Sequence, residues 1–186
     1  MAYEEFRKKI VNLQSDVSLF KVEFLDRDGF KRFADNLRSN VKSWTRICIT
    51  GYFSETIRQS LESIAKGSPI TNVRLICPNL NVKRTRDRKN LQALRNLARK
   101  GVQIEVNDRL HARFLVAYDI FEKHPNKEYR GLLLIGSFDF NTECIGRERY
   151  DAGILTRNPD LIESAVRLFE QIWNEPESIP LKDYKP

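Results

Sequence analysis

Arg46-Ile47-Cys48-Ile49-Thr50 is a short apolar run stopped by Gly51. The same punctuation returns at Val73-Arg74-Leu75-Ile76-Cys77 before Pro78, and at Val102-Gln103-Ile104-Glu105-Val106 after Gly101. Apolar runs of this length bounded by Gly and Pro read as strands. Helical spacing fills the gaps. Ser54 is placed to cap a helix with Ile57, Leu61 and Ile64 inside, and Leu91, Leu94 and Leu97 mark a helix from about Asp87 to Lys100. Gly101 follows it, at the position past a helix end where glycine is favoured. Strands alternating with helices predict an α/β fold, a mixed β-sheet flanked by helices on both faces.

Outward from this frame, Ala112–Tyr118, Leu132–Ile135 and Ala152–Leu155 read as further strands. A last helix starts after Asn158-Pro159 and is expected to bury Leu161, Ile162, Ala165, Leu168, Phe169 and Trp173. Upstream, Phe6, Ile10 and Leu13 have helical spacing, and Phe20, Val22 and Phe24 alternate through Leu19–Leu25 as a strand. Asp28 is placed to cap a helix running to about Val41, with Phe30, Phe33, Leu37 and Val41 on one face. The expected division is an extension of helix and strand at 1–44 packed on the domain, the domain itself at 45–174, and an irregular tail or linker at 175–186. That tail, with Pro176, Pro180 and Pro186, leaves room for a further domain beyond it.

With 41% hydrophobic and 31% charged residues, the 186-residue chain has the profile of a globular protein with a sizeable core. No apolar stretch approaches the roughly 20 residues of a membrane span. Met1-Ala2-Tyr3-Glu4-Glu5-Phe6 lacks the layout of a signal peptide. Cys48, Cys77 and Cys144 are widely spaced and give neither a zinc pattern nor a disulfide framework. A reducing, cytoplasmic setting is the expectation. The net charge of +7 favours a polyanionic partner. It is concentrated: Lys83, Arg84, Arg86, Arg88, Lys89, Arg95, Arg99 and Lys100 stand against Asp87 alone between residues 83 and 100. Lys83, Arg84, Arg86 and Arg88 fall in a loop leading into a helix and are expected to contact phosphates non-specifically. The plain alternative is a solvated helix face.

The residues suited to chemistry lie further on. In His111-Ala112-Arg113 the imidazole and the guanidinium, two apart on a strand, face the same side. Arg113 can hold a phosphate with two hydrogen bonds. Gly136-Ser137-Phe138-Asp139-Phe140-Asn141 adds a hydroxyl and a flexible turn suited to a phosphate oxygen. Asp151 opens another strand and is placed to accept from the imidazole, fixing its tautomer. A neutral imidazole so held is a nucleophile toward phosphorus or a general base. The plain reading makes Arg113 a solvated strand residue and Ser137-Phe138-Asp139 a turn. His124, in the polar stretch from Lys123 to Glu128, reads as part of a surface loop.

These elements resemble the phospholipase D superfamily, whose signature is His-x-Lys-x4-Asp followed by Gly-Ser-x-Asn. Thr50-Gly51-Tyr52-Phe53, Tyr150-Asp151-Ala152-Gly153-Ile154 and Phe169-Glu170-Gln171-Ile172-Trp173 fall in the usual order around His111 and Gly136-Ser137. The resemblance implies a phospholipase D-like sheet and a phosphodiesterase that works through a phosphohistidine with no metal and no cofactor. By that likeness His111 is nucleophile or general acid, Arg113 stands for the lysine, Ser137 holds phosphate, and Asp151 orients His111. A second histidine is required, and a homodimer with two-fold symmetry is the simplest source. Three positions depart: Arg113 for Lys, Tyr118 for Asp, and Asp139 for Asn. Asn141 is placed to restore the amide donor near a substrate that Asp139 also adjoins. Asp119 can restore the carboxylate only if the strand bulges. The expected function is a metal-independent nuclease acting on nucleic acid, DNA above RNA, without a membrane partner. The alternative is a catalytically weakened nucleic-acid-binding or dimerisation module. A phospholipid hydrolase is a third reading, which the single motif disfavours.

Overall fold

Residues 22–41, 46–51, 59–64, 72–81, 83–123, 125–137 and 152–186 are described by the computed structural model. Among them eight strands form one mixed sheet. These are β1 (Glu23–Leu25), β2 (Arg46–Thr50), β3 (Asn72–Cys77), β4 (Gln103–Asn107), β5 (Phe114–Lys123), β6 (Asn126–Gly136), β7 (Gly153–Thr156) and β8 (Ser178–Pro180). Their order across the sheet is β1-β7-β6-β5-β2-β3-β4-β8. The pairs β2–β3 and β3–β4 are parallel; the others are antiparallel.

Helices cover both faces. One face carries α1 (Arg27–Asp35), α2 (Leu37–Val41), a helical stretch at 59–64 and α3 (Thr85–Arg99). Their Phe30, Phe33, Leu37, Val41, Leu61, Ile64, Leu91, Leu94 and Leu97 pack on Ile47, Ile49, Leu75, Ile104, Leu115 and Leu134 in one core cluster. Of the expected extension, residues 25–41 thus contribute side chains to this core, and β1 extends the same sheet. The other face carries α4 (Pro159–Trp173), whose Ile162, Ala165, Val166 and Phe169 pack on Cys48, Ile76, Val116, Tyr118 and Leu133. No helix among the described residues is long and apolar enough to cross a membrane.

Arg74, on β3, braces α4 from below. Its guanidinium lies 5.0 Å from the Phe169 ring centroid and 5.3 Å from that of Trp173, and its Nη1 donates to Glu170 Oε2 at 2.9 Å. Its Nη2 reaches Cys48 Sγ at 3.5 Å. A cation packed against two stacked aromatic rings, with its carboxylate on the same helix, ties α4 to the parallel strands.

Several local expectations change. The cap of the first helix is Asp26, which accepts from the Gly29 amide at 2.8 Å, not Asp28. The helix also breaks at Asn36, whose side chain and amide both turn back to the Arg32 carbonyl. This is local competition by a short polar side chain. The apolar alternation through Phe24 points away from the core: Phe24 is 71% exposed, while Leu25 is buried. In α4 the stripe is narrower than expected, since Leu161 and Leu168 are exposed.

The stretch expected as a loop at 123–128 is mostly strand. β5 and β6 pair without interruption from Phe114↔Ile135 to Lys123↔Asn126. Its polar residues suit a solvated hairpin. Arg130 sits over the Phe121 ring at 4.8 Å and pairs with Glu128 at 2.8 Å. Gly131 lies opposite Tyr118, where an added Cβ would come within 2.8 Å of the Tyr118 Cα, so glycine is required. Downstream, residues 178–180, read as irregular from the prolines, form β8 on the edge of β4. Leu181 is buried behind it.

Candidate active site

The parallel strands set the place. β2, β3 and β4 end side by side, and the chain leaving each one lines a cleft of about 280 Å³. Gly51 comes from β2, Pro78 and Asn79 from β3, Asp108 from β4, and the stretch from Leu110 to Arg113 completes the wall. The C-terminal end of parallel strands is where open α/β sheets collect ligands. A second hollow of about 290 Å³, lined by Asn107, Arg109, Leu110, His111, Ala112, Ile172 and Glu175, shares His111 from the side of α4. His111 thus stands between two spaces and is exposed to both.

His111 and Arg113 share the cleft, though not as strand residues. Residues 111–113 precede β5, which begins at Phe114. Thr50, fully buried at the end of β2, accepts from the Phe114 amide through its hydroxyl at 3.1 Å and so pins that start. Arg113 is brought to Ser137: its Nη1 donates to the Ser137 carbonyl at 2.5 Å. The Arg113 carbonyl accepts from the Gly136 amide at 3.3 Å. Ser137 in turn exchanges backbone bonds with Ala152, donating its amide to the Ala152 carbonyl at 3.0 Å, while its hydroxyl accepts from the Ala152 amide at 3.2 Å. His111 and Arg113 therefore line one cleft at the start of β5, and Arg113 reaches Ser137 at the end of the neighbouring β6. Asp139, Asn141 and Asp151 lie outside the described residues, as does His124.

The departure at Tyr118 resolves clearly. Tyr118 is buried on the face covered by α4, beside Cys48 and 5.9 Å from the Tyr129 ring. Burial pushes its phenol pKa up, so it stays protonated. The β5–β6 register has no bulge, so Asp119 points to the opposite face and does not take the missing carboxylate's place.

The basic segment lies beside the cleft. Two residues past Asn79, Asn81 starts a tight turn: its side chain accepts from the Lys83 amide at 3.1 Å, and its carbonyl from the Arg84 amide at 2.8 Å. Asp87, buried to 4% exposure, accepts from the Asn81 amide at 3.0 Å and closes this loop onto α3. Asp87 is thus a structural carboxylate, and Lys83, Arg84, Arg86 and Arg88 remain on the surface. α3 begins two residues earlier than the periodicity suggested.

Asn79 and Asp108 line the cleft and Asn107 the second hollow, and no sequence motif marks any of them. Asn107 shows itself only through turn chemistry: Asn-Asp-Arg before His111 is a run that folds back on its own backbone. Among the described residues no group of three or more His, Cys, Asp and Glu side chains could hold a metal ion.

No curated protein matches the chain. Among solved structures, it is similar to a phospholipase D family member, Nuc from Salmonella typhimurium, at 14% identity and a TM-score of 0.62, covering 90% of this chain and 98% of that one. It is also similar to polyphosphate kinase from Porphyromonas gingivalis, at 20% identity and a TM-score of 0.65, covering 84% of this chain but only 26% of the kinase. TrmBL2, an archaeal chromatin protein with a novel mode of DNA binding, shares 10% identity over 92% of this chain and 61% of its own, with a TM-score of 0.53. Identities this low establish the fold alone. A family model described as cardiolipin synthase, PLD-like domain, matches residues 38–173, from α2 through the end of α4, and on that match the chain belongs to the phospholipase D-like family.

Proposed function

We propose that this protein is a metal-independent phosphodiesterase that cleaves nucleic acid, with DNA as the favoured candidate, and with His111 as nucleophile or general acid. The observation that carries the reading is the placement of His111 and Arg113 in one cleft, with Arg113 tied to Ser137 at its rim. An imidazole open to solvent, a fixed guanidinium and a strand-end turn are the parts an in-line attack on a phosphodiester needs. The surface cations Lys83 and Arg84, on the loop that leaves the cleft wall, and Arg86 and Arg88, in the first turn of α3, favour a long polyanion over a small phosphate ester. Asp151, Asp139 and Asn141 remain proposed members of the site: Asp151 to orient His111, the other two to meet substrate.

One chain offers one such histidine. Attack by one imidazole and protonation of the leaving oxygen by another require a pair, which a two-fold dimer supplies by bringing two copies of His111 to one centre. The deciding experiment is cleavage of single- and double-stranded DNA in excess EDTA, with His111→Ala in parallel. Cleavage that resists EDTA and disappears in the variant is the expected result. A strictly monomeric species by light scattering at micromolar concentration would count against the paired-histidine mechanism.

Tyr118 favours a second reading. With its phenol buried in the core and no bulge to bring Asp119 round, the site lacks one carboxylate of the family signature. A fold shared with an archaeal chromatin protein is compatible with a module that binds DNA without cutting it. Salt-sensitive binding by both wild type and His111→Ala, with no cleavage by either, would identify that case.

A further inference from the structure

His111 belongs to no strand or helix, so something else must hold it. The chain leaves β4 at Asn107, turns, and reaches His111 four residues later. Asn107 is 1% exposed, although an amide side chain is costly to bury without partners. Its partners account for all of its polarity. Oδ1 accepts from the Arg109 amide at 2.9 Å, and Nδ2 donates to Ser178 Oγ at 2.9 Å and to Glu175 Oε2 at 3.3 Å. The Asn107 carbonyl accepts from the Leu110 amide at 3.3 Å. One side of the amide therefore shapes the turn before His111, and the other side is fastened to the segment after α4. That segment is itself anchored: Ser178 Oγ donates to the Ile172 carbonyl, the Leu181 amide donates to the Ile104 carbonyl at 2.9 Å, and Arg109 pairs with Glu177 at 3.1 Å. It also reaches the opposite wall of the cleft, where the Tyr184 hydroxyl contacts the Asn79 side chain and accepts from the Leu80 amide at 3.1 Å.

We propose that Asn107 is the positioning residue for His111, and that residues 175–184 act as the brace against which it holds the imidazole in the cleft. Only an amide serves here. The turn needs an acceptor, and Ser178 and Glu175 need a donor, so a carboxylate would lose both donor contacts and face Glu175 with like charge. The inference rests on the reading of His111 as the reacting group.

The test compares wild type, Asn107→Ala and Ser178→Ala as full chains, by steady-state DNA cleavage and by NMR of 13C-labelled histidine. The chain has two histidines, so His124 supplies an internal reference signal. Asn107→Ala should lower kcat roughly 10- to 100-fold with KM within about twofold, as expected for a displaced catalytic group. It should also shift or broaden the His111 signal while that of His124 stays in place. Ser178→Ala should move both readouts in the same direction by less, and it carries the test if Asn107→Ala does not fold. Folded Asn107→Ala with wild-type kcat and an unmoved His111 signal overturns the proposal. A wild type that leaves DNA intact refutes the nuclease reading instead, and the His111 signal still reports whether Asn107 positions the ring.

Discussion

Arg113 gives one of its guanidinium hydrogens to the backbone carbonyl of Ser137, across the gap between the start of β5 and the end of β6. The planar fork is thus partly fixed before any substrate arrives, which a flexible ammonium at this position would not achieve. Arg113→Ala should lower kcat/KM for DNA roughly 100-fold, the loss typical of a preorganised donor on a developing oxyanion. Arg113→Lys should fall between the two, keeping charge but not the tie to Ser137. Cleavage rates of the three proteins in EDTA check this, and an unimpaired alanine variant removes Arg113 from the reacting centre.

Lys83 and Arg84 ride on the Asn81 turn, fastened by Asp87, next to the cleft wall. Their charges should act as two phosphate contacts without regard to sequence. Neutralising both should flatten the slope of log affinity against log salt by about two units, and weaken binding to unrelated sequences equally. Fluorescence anisotropy across a salt series measures the slope. An unchanged slope takes this loop off the nucleic-acid path.

Cys48 and Cys77 are almost wholly buried, and burial pushes their thiols up to about 11 and about 12, from an ordinary 9.0. In the folded protein at pH 8 both should resist iodoacetamide, as followed by peptide mass mapping, and both should react in urea. The pH dependence has a definite sign. These thiols ionise earlier in the unfolded chain, so their contribution to stability is complete below about pH 9. It is lost as pH rises toward 11 and 12, which denaturant midpoints at successive pH values would record. A midpoint that held constant from pH 9 to 11 would contradict that burial.

The parallel strands and their helices were legible because their signals are local. Ile47, Leu75 and Ile104 sit in short apolar runs, Gly101 adopts φ 94 just past α3, and Asn158 caps α4 through the amides of Asp160 and Leu161. His111, Arg113 and Ser137 were singled out by residue type and spacing; the fold puts His111 and Arg113 in one cleft wall and bonds Arg113 to Ser137. What escaped depends on partners far along the chain. β8 is a strand because β4 has an open edge, and prolines at 176 and 180 hid it. Phe24 fits an alternating pattern, yet lies on the solvent side because Leu25 takes the core. Asn107 looks like any turn residue until Ser178 is in place. The role of Asp119 hung on a bulge, and the ladder with β6 decides that point, not the sequence of β5.

The fastening of Asn107 to Ser178 spans 71 residues of chain. On a ribosome that has released β4 and His111, Asn107 Oδ1 can already meet the Arg109 amide, while Ser178 and Glu175, the partners of its Nδ2, have yet to be made. The fastening of that turn is therefore complete only once synthesis has passed residue 178, so a shorter chain carries His111 behind a turn held from one side alone.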